Sequence, residues 1–270
     1  MMSLAMNFDF PFILVCLTAV SGLIWLVDIL FFARKRPAQY ATDGKLKLPL
    51  LVDYARSFFP VLLFVLVIRS FLFQPFRVPT GSLEPTVIPG DFLVVNMFDY
   101  GLRLPVWHTK IMNIGEPKRG DIMLFRWPVD QRMDFIKRVV GLPGDHISYI
   151  DKVFYINGVA AKQTLIEAAT DTDETGTISW PVKVLEEDLN GVKHKIFIRP
   201  DRPAEDFKDM VVPLGHYLMV GDNRDSSNDS RYWGFVPENN IIGKALYVWL
   251  SWDSEHHKVR WNRFGTKLFH

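Results

Sequence analysis

Two long apolar runs near the start limit what this chain can become. Residues 12–32 are apolar except for Thr18, Ser21, Gly22 and a late Asp28, and about 20 such residues cross the hydrocarbon core of a bilayer. Residues 58–73 form a second, slightly short run with Arg69 near its end, where a guanidinium can reach the interface while its stem stays apolar. As core helices both runs would have to be buried by the rest of the fold; each reads better as a membrane span. The first is expected to be retained. No basic residue precedes it, its apolar part is too long for a leader, and Phe31-Phe32-Ala33-Arg34 is a poor small-residue cleavage site.

The charge between the runs sets an orientation. Arg34, Lys35, Arg36, Lys45, Lys47 and Arg56 face only Asp43 and Asp53, and the tail before the first run has no Lys or Arg. The positive-inside rule then puts 34–56 in the cytoplasm. Spans over 12–33 and 57–75 place the tail 1–11 and everything from residue 76 on the far side. A net charge of +1 gives no electrostatic case for nucleic acid. The lone cysteine, Cys16, falls in the first span, so the outer region has no disulfide and depends on a hydrophobic core.

From residue 91 the pattern is of short apolar runs between turn signals. Strands are predicted over 91–97, 121–127, 134–140, 146–150, 153–156, 195–198, 217–220 and 244–251, with Asn157-Gly158 as a hairpin turn. No long 3.6-residue period and no repeat appears, so the region reads as all-β, a sandwich or partly open barrel. The polar stretches 167–174 and 191–209 read as exposed loops of an inserted smaller lobe at about 160–210. Trp249, Trp252, Trp261, Phe264 and Phe269 are many aromatics for one C-terminal region, fit either for a core or for lipid headgroups.

Three stretches carry chemistry. In FRVPTGSLEPT, residues 76–86, Pro79, Gly81 and Pro85 specify a stiff irregular loop that presents Ser82. Alone this is an ordinary turn. A serine nucleophile needs a base; none of the seven histidines has a triad context, and no G-x-S-x-G elbow exists. In DFIKRVVGLPGD, residues 134–145, alternation puts Phe135, Lys137 and Val139 on one face and Ile136, Arg138 and Val140 on the other. A lysine between apolar neighbours loses pKa to desolvation and can serve as a base, unless the strand is an edge and Lys137 reaches water. GDNRDSSNDSRYWG, residues 221–234, fails the calcium-loop pattern, with no Gly six positions in and Trp233 where Glu is needed. It reads as an ordered polar loop able to orient another residue.

Together these stretches, in the order SFLFQPFRVPTGSLEPT, GDIMLFRWP, KRVVGLPGD and GDNRDSSNDSRYWGFVP, resemble bacterial type I signal peptidase, also called leader peptidase. The resemblance implies a mainly β chain: two N-terminal transmembrane helices, then an all-β extracytoplasmic catalytic domain. It implies a membrane-bound serine endopeptidase that removes signal peptides from secreted preproteins after an A-x-A-like site, without metal or cofactor. Ser82 would be the nucleophile, Lys137 the neutral general base, and Thr80 with the Ser82 N–H the oxyanion hole. Ser227 would hold the lysine, with Asp222, Asp229 and Arg231 as its supporting network. Phe76, Val78, Pro79, Leu83, Val87 and Ile136 would wall the substrate pocket; Leu83 stands where the family commonly has Met, a volume-conserving exchange. Implied partners are secretory preproteins, the lipid bilayer and a nearby secretion translocon, at the bacterial inner membrane with the catalytic domain on the periplasmic side. Two other readings remain at this point. A self-cleaving Ser/Lys repressor would need a DNA-binding module in place of the spans, and a peptide-binding anchor would leave Ser82 and Lys137 without a joint purpose.

Overall fold

The computed structural model describes residues 10–35, 48–103, 110–173 and 177–268. The tail 1–9 and, from the basic loop, Arg36, Asp43, Lys45 and Lys47 lie outside the described residues, as do His108, Glu174, Phe269 and His270. Two compact units emerge, one holding the helices up to Phe73, the other running Gln74–Leu102 and Lys110–His270.

In the first unit, helix α1 is Phe10–Val27, continued by a π-turn at Asp28–Phe32, and α2 is Leu50–Val67, continued likewise at Ile68–Leu72. Phe12–Lys35 and Leu50–Val67 are both long and apolar enough to cross a membrane. Their large side chains, among them Leu23, Leu30, Leu51, Val61 and Phe64, are exposed, unlike those of a core helix. The polar residues of α1 are satisfied within it: Thr18 Oγ1 donates to the Leu14 carbonyl at 2.7 Å and Ser21 Oγ to that of Thr18 at 3.0 Å. The helices meet where Gly22 leaves room for Phe59, since a Cβ there would lie 2.6 Å from Phe59 Cε2; Trp25 stacks obliquely on the same ring, centroids 5.6 Å apart. The second helix starts earlier than the expected 57, because Pro49 with extended backbone supplies a natural N-terminus, and its expected end at 75 is already strand from Phe73.

In the second unit all eight predicted strands are present. The main sheet runs Phe73–Arg77, Asp91–Asn96, Ile241–Asp253, Ile122–Arg126, Asp134–Gly141, His216–Val220, Val236–Pro237, with Lys258–Val259 beside the long strand. Ile122–Arg126 shows why it holds. Ile122 and Leu124 point into one fully buried cluster with Leu93, Val95 and Val248, while Met123 and Phe125 point into another with Val139 and Met219. Each such side chain contributes about 1.5–3 kcal/mol when fully buried. A four-stranded sheet, Phe207–Val211, His146–Ile150, Val153–Ile156 and Val159–Ala160, encloses a third cluster around Tyr149 and Phe154. Its hairpin turns at Asn157 (φ 51) and Gly158 (φ 80) as expected.

The expected exposed loops at 167–174 and 191–209 are corrected in part: 167–172 is strand, 192–198 is a longer strand than the expected 195–198, and 199–206 lies between strands. Lys162–Thr172, Ser179–Leu189 and Val192–Ile198 pair antiparallel as a three-stranded sheet, in the same compact unit as the main sheet. The first of these strands is almost wholly exposed, so it lacks the alternation that marks a half-buried strand. Trp249, Trp252, Trp261 and Phe264 are partly or largely exposed, which excludes a purely core role.

Candidate active site

The stretch 76–86 is the irregular loop its prolines and glycine specify, and its neighbours fix it. Val78 N donates to the Asp91 carbonyl (2.8 Å) and Gly90 N to that of Val78 (3.0 Å). The loop 221–234 grips it from the other side: Asn223 N donates to the Ser82 carbonyl (3.1 Å) and Asn223 Nδ2 to that of Gly81 (3.2 Å). A Cβ on Gly221 would collide with both the Ser82 carbonyl oxygen and the Ser227 hydroxyl, so only glycine allows this approach.

Ser82 and Lys137, 55 residues apart, meet here: Nζ lies 2.5 Å from Oγ. Both are buried, at 7% and 4% exposure. Lys137 is paired with Met123 on one side only, the other ladder starting at Arg138; its burial is what keeps it from reaching water. Burial lowers its pKa to about 8, against the opposing charges of Asp229 and Asp222; Arg231 adds a smaller push downward. Its Nζ also lies 5.5 Å from the centre of the Phe135 ring on the same strand face. Thr80 Oγ1 is 3.4 Å from Ser82 Oγ.

The polar residues around this pair form a buried, ion-paired network. Asp222 takes two bonds from Arg138, Nε at 2.8 Å and NH2 at 2.7 Å, and a third from Thr86 Oγ1 at 2.6 Å. Burial would raise the Asp222 pKa; the Arg138 charge and bonds overcome it and hold the carboxyl below its ordinary value. Asp229 answers Arg231 in the same way, at 2.8 Å to both Nε and NH2, and accepts the Gly221 N–H at 3.0 Å. Ser227 is buried with its hydroxyl near Gly221, and no hydrogen bond is seen from it to Lys137.

A cleft of about 640 Å³ opens over the pair. Its lining includes Phe76, Pro79, Met133, Phe135 and Ile136 together with Glu84, Asp171, Asp173, Trp180 and Asn223. Of the expected pocket walls, Phe76, Pro79 and Ile136 are there. Val78, Leu83 and Val87 are instead fully buried in the core beneath the cleft, since a loop clamped to the sheet turns these side chains inward. No histidine lines the cleft among the described residues. Arg138, Glu84, Asp171 and Asn223 escaped the sequence reading. Arg138 carried the same signal as Lys137, a charge flanked by apolar residues on its own strand face; Glu84 and Asp171 carried none.

A buried serine hydroxyl held against a desolvated lysine beside an apolar cleft is equipped for acyl transfer. Comparison with known proteins gives the family: the profile described as Signal peptidase, peptidase S26 matches residues 51–252, and the chain belongs to that family of peptidases. Signal peptidase I of Pseudomonas fluorescens and that of Pseudomonas aeruginosa are each 45% identical to it, over 92% of this chain and 94% of theirs. That of Haemophilus influenzae is 32% identical over 96% of this chain and 92% of its own. Among solved structures, a signal peptidase I from Enterococcus faecalis V583 aligns with 48% of this chain and 96% of its own, at 27% identity and a TM-score of 0.31.

Proposed function

We propose that this peptidase removes signal peptides from secretory preproteins, with Ser82 as nucleophile and Lys137 as general base. The observation that carries the assignment is the 2.5 Å contact between Ser82 Oγ and Lys137 Nζ, buried at the floor of the cleft. Neutral Nζ accepts the hydroxyl proton as Oγ attacks the scissile carbonyl. The oxyanion is held by the Ser82 N–H and the Thr80 hydroxyl, donors worth about 3–4 kcal/mol of barrier each. The resulting ammonium passes its proton to the leaving amine, leaving an ester on Ser82. A water deprotonated by Lys137 hydrolyses that ester, and the proton returns to Oγ.

The substrate lies as an added strand. The ladder between Asp134–Gly141 and His216–Val220 begins only at Arg138, so Asp134 to Lys137 offer backbone groups on the cleft side. Small side chains of an A-x-A-like site pack against Phe76, Pro79 and Ile136. Both apolar helices span the membrane, with the basic segment between them in the cytoplasm and the β domain outside, at the bacterial inner membrane and near the translocon that delivers the substrates. Asp222, Asp229 and Arg231 set the charge around Lys137. The test is cleavage of a purified preprotein in detergent by the wild type and by Ser82→Ala at equal concentration. Mature protein from the wild type alone is expected; equal cleavage by both would remove Ser82 from the chemistry.

A further inference from the structure

The serine–lysine chemistry gives no role to the three-stranded sheet Lys162–Thr172, Ser179–Leu189 and Val192–Ile198. Yet that sheet, with the residue that follows it, holds four consecutive residues of the loop 221–234. Phe197 N donates to the Asp222 carbonyl at 2.9 Å, and Asn223 Nδ2 donates to Asp171 Oδ2 at 2.9 Å. Arg224 NH1 donates to Glu187 Oε1 at 2.8 Å, with its NH2 on Oε2. Just past the sheet, Arg199 N donates to Asp225 Oδ2 at 2.8 Å. Each strand thus supplies one anchor, Asp171 from the first, Glu187 from the second and Phe197 from the third.

Asn223 carries this hold to the nucleophile. Its backbone N–H bonds the Ser82 carbonyl, and its Nδ2 bonds the Gly81 carbonyl at 3.2 Å. The Gly81 carbonyl and the Ser82 N–H belong to one planar peptide unit, so fixing the carbonyl fixes the direction in which that N–H points. The Asn223 amide is held in turn. Both Nδ2 hydrogens have acceptors, one on Gly81 and one on Asp171, and this orientation persists although it leaves Oδ1 buried without a partner. A buried acceptor without a donor is costly; without Asp171, one bond alone would oppose the rotation that relieves it. Asp171 is a rigid support. It is 7% exposed, its Oδ2 also accepts from Trp180 Nε1 at 3.1 Å, and its Oδ1 accepts from Thr172 N at 2.9 Å. The Arg199 guanidinium lies over the Trp180 ring, 4.4 Å from its centre, and faces Asp171, as does Glu84.

We propose that Asp171 and Asn223 are positioning residues for the oxyanion hole: Asp171 holds the Asn223 amide, and the amide holds the Gly81–Ser82 peptide plane that aims the Ser82 N–H. This rests on the assignment of Ser82 as nucleophile above, and it gives the three-stranded sheet a part in catalysis.

The test is steady-state cleavage of one preprotein by the full-length enzyme in detergent at a single pH. Asp171→Ala should lower kcat about tenfold with KM within about twofold, because a misaimed donor forfeits part of the roughly 100-fold that an oxyanion donor supplies. Asn223→Ala should lose at least as much. The double variant should be no slower than Asn223→Ala alone, since Asp171 acts only through that amide. Asp171→Asn, whose amide oxygen can still accept from Asn223, should recover most of the loss. Asp171→Ser, too short to reach Asn223, takes the place of Asp171→Ala where the latter fails to fold. Losses that multiply in the double variant, a change confined to KM, wild-type kcat in Asp171→Ala, or Asp171→Asn as slow as Asp171→Ala would each overturn the relay and leave Ser82 as nucleophile. Cleavage by Ser82→Ala at the wild-type rate would sink the serine mechanism, and the relay with it.

Discussion

Replacing Lys137, the proposed base, with an apolar side chain of similar size should make this protein inactive and more stable at once. Lys137 is fully enclosed and its pKa falls from 10.5 to about 8, chiefly through burial. Below pH 8 the lysine is protonated folded and unfolded alike, and the folded state carries the whole cost of the buried charge. Between 8 and 10.5 the unfolded chain binds the proton and the folded one does not, so wild-type stability rises with pH across that window. The shift corresponds to about 3 kcal/mol. Lys137→Met removes that cost and loses the 2.5 Å bond to Ser82, worth about 1 kcal/mol. The net gain at pH 7 is about 2 kcal/mol, or about 4–8 °C in midpoint for a domain of this size. At pH 10 the remaining cost is about 1 kcal/mol by the same linkage, and the two proteins should melt together. Thermal unfolding in detergent at pH 7 and pH 10 measures both. A Lys137→Met protein less stable than wild type at pH 7, or a difference that ignores pH, would refute the desolvation argument.

Three further outcomes follow from the site. Thr80→Ala should lower kcat about 100-fold with KM little changed, as removal of one oxyanion donor does, and Thr80→Ser should restore most of it; steady-state kinetics on one preprotein decide this, and a change confined to KM would argue against the role. Gly221→Ala drives a methyl into the Ser82 carbonyl and the Ser227 hydroxyl, so turnover should collapse while circular dichroism still reports the sheet. Asp222→Asn strands the Arg138 guanidinium, which is 1% exposed, and should cost about 3–5 kcal/mol by denaturant titration; a loss below 1 kcal/mol would mean water reaches the pair.

Much of the fold was legible because its central strands obey simple patterns. Residues 122–125 are a continuous apolar run, and 134–141 sets Lys137 and Arg138 among apolar neighbours; both belong to interior strands of the main sheet. What escaped has physical causes. Lys162–Thr172 exposes nearly every side chain, so pairing with its neighbour, which local pattern does not reveal, makes it a strand. The long strand Ile241–Asp253 was read only over 244–251, since register shifts against both neighbours break its alternation. Loop chemistry and strand periodicity singled out Ser82 and Lys137, but alone they left an ordinary turn and a solvated lysine open; the family resemblance joined the two, and the fold brings their side chains together. The inward turn of Val78, Leu83 and Val87 was not, because the clamp between the serine loop, Asp91 and Asn223 decides it. The partners Arg224 and Glu187, both fully buried and joined by two hydrogen bonds, lie 37 residues apart in sequence, and charge patterning within one segment cannot pair them.

The most direct test of the central claim is the pH dependence of single-turnover cleavage, from pH 6 to 10, with an uncharged site in the substrate. If neutral Lys137 takes the proton from Ser82, the rate rises with pH and levels off above an apparent pKa of about 8, and Lys137→Arg shows no turnover at any pH. A rate independent of pH over this range, or turnover in Lys137→Arg with the wild-type profile, would contradict the assignment of the base.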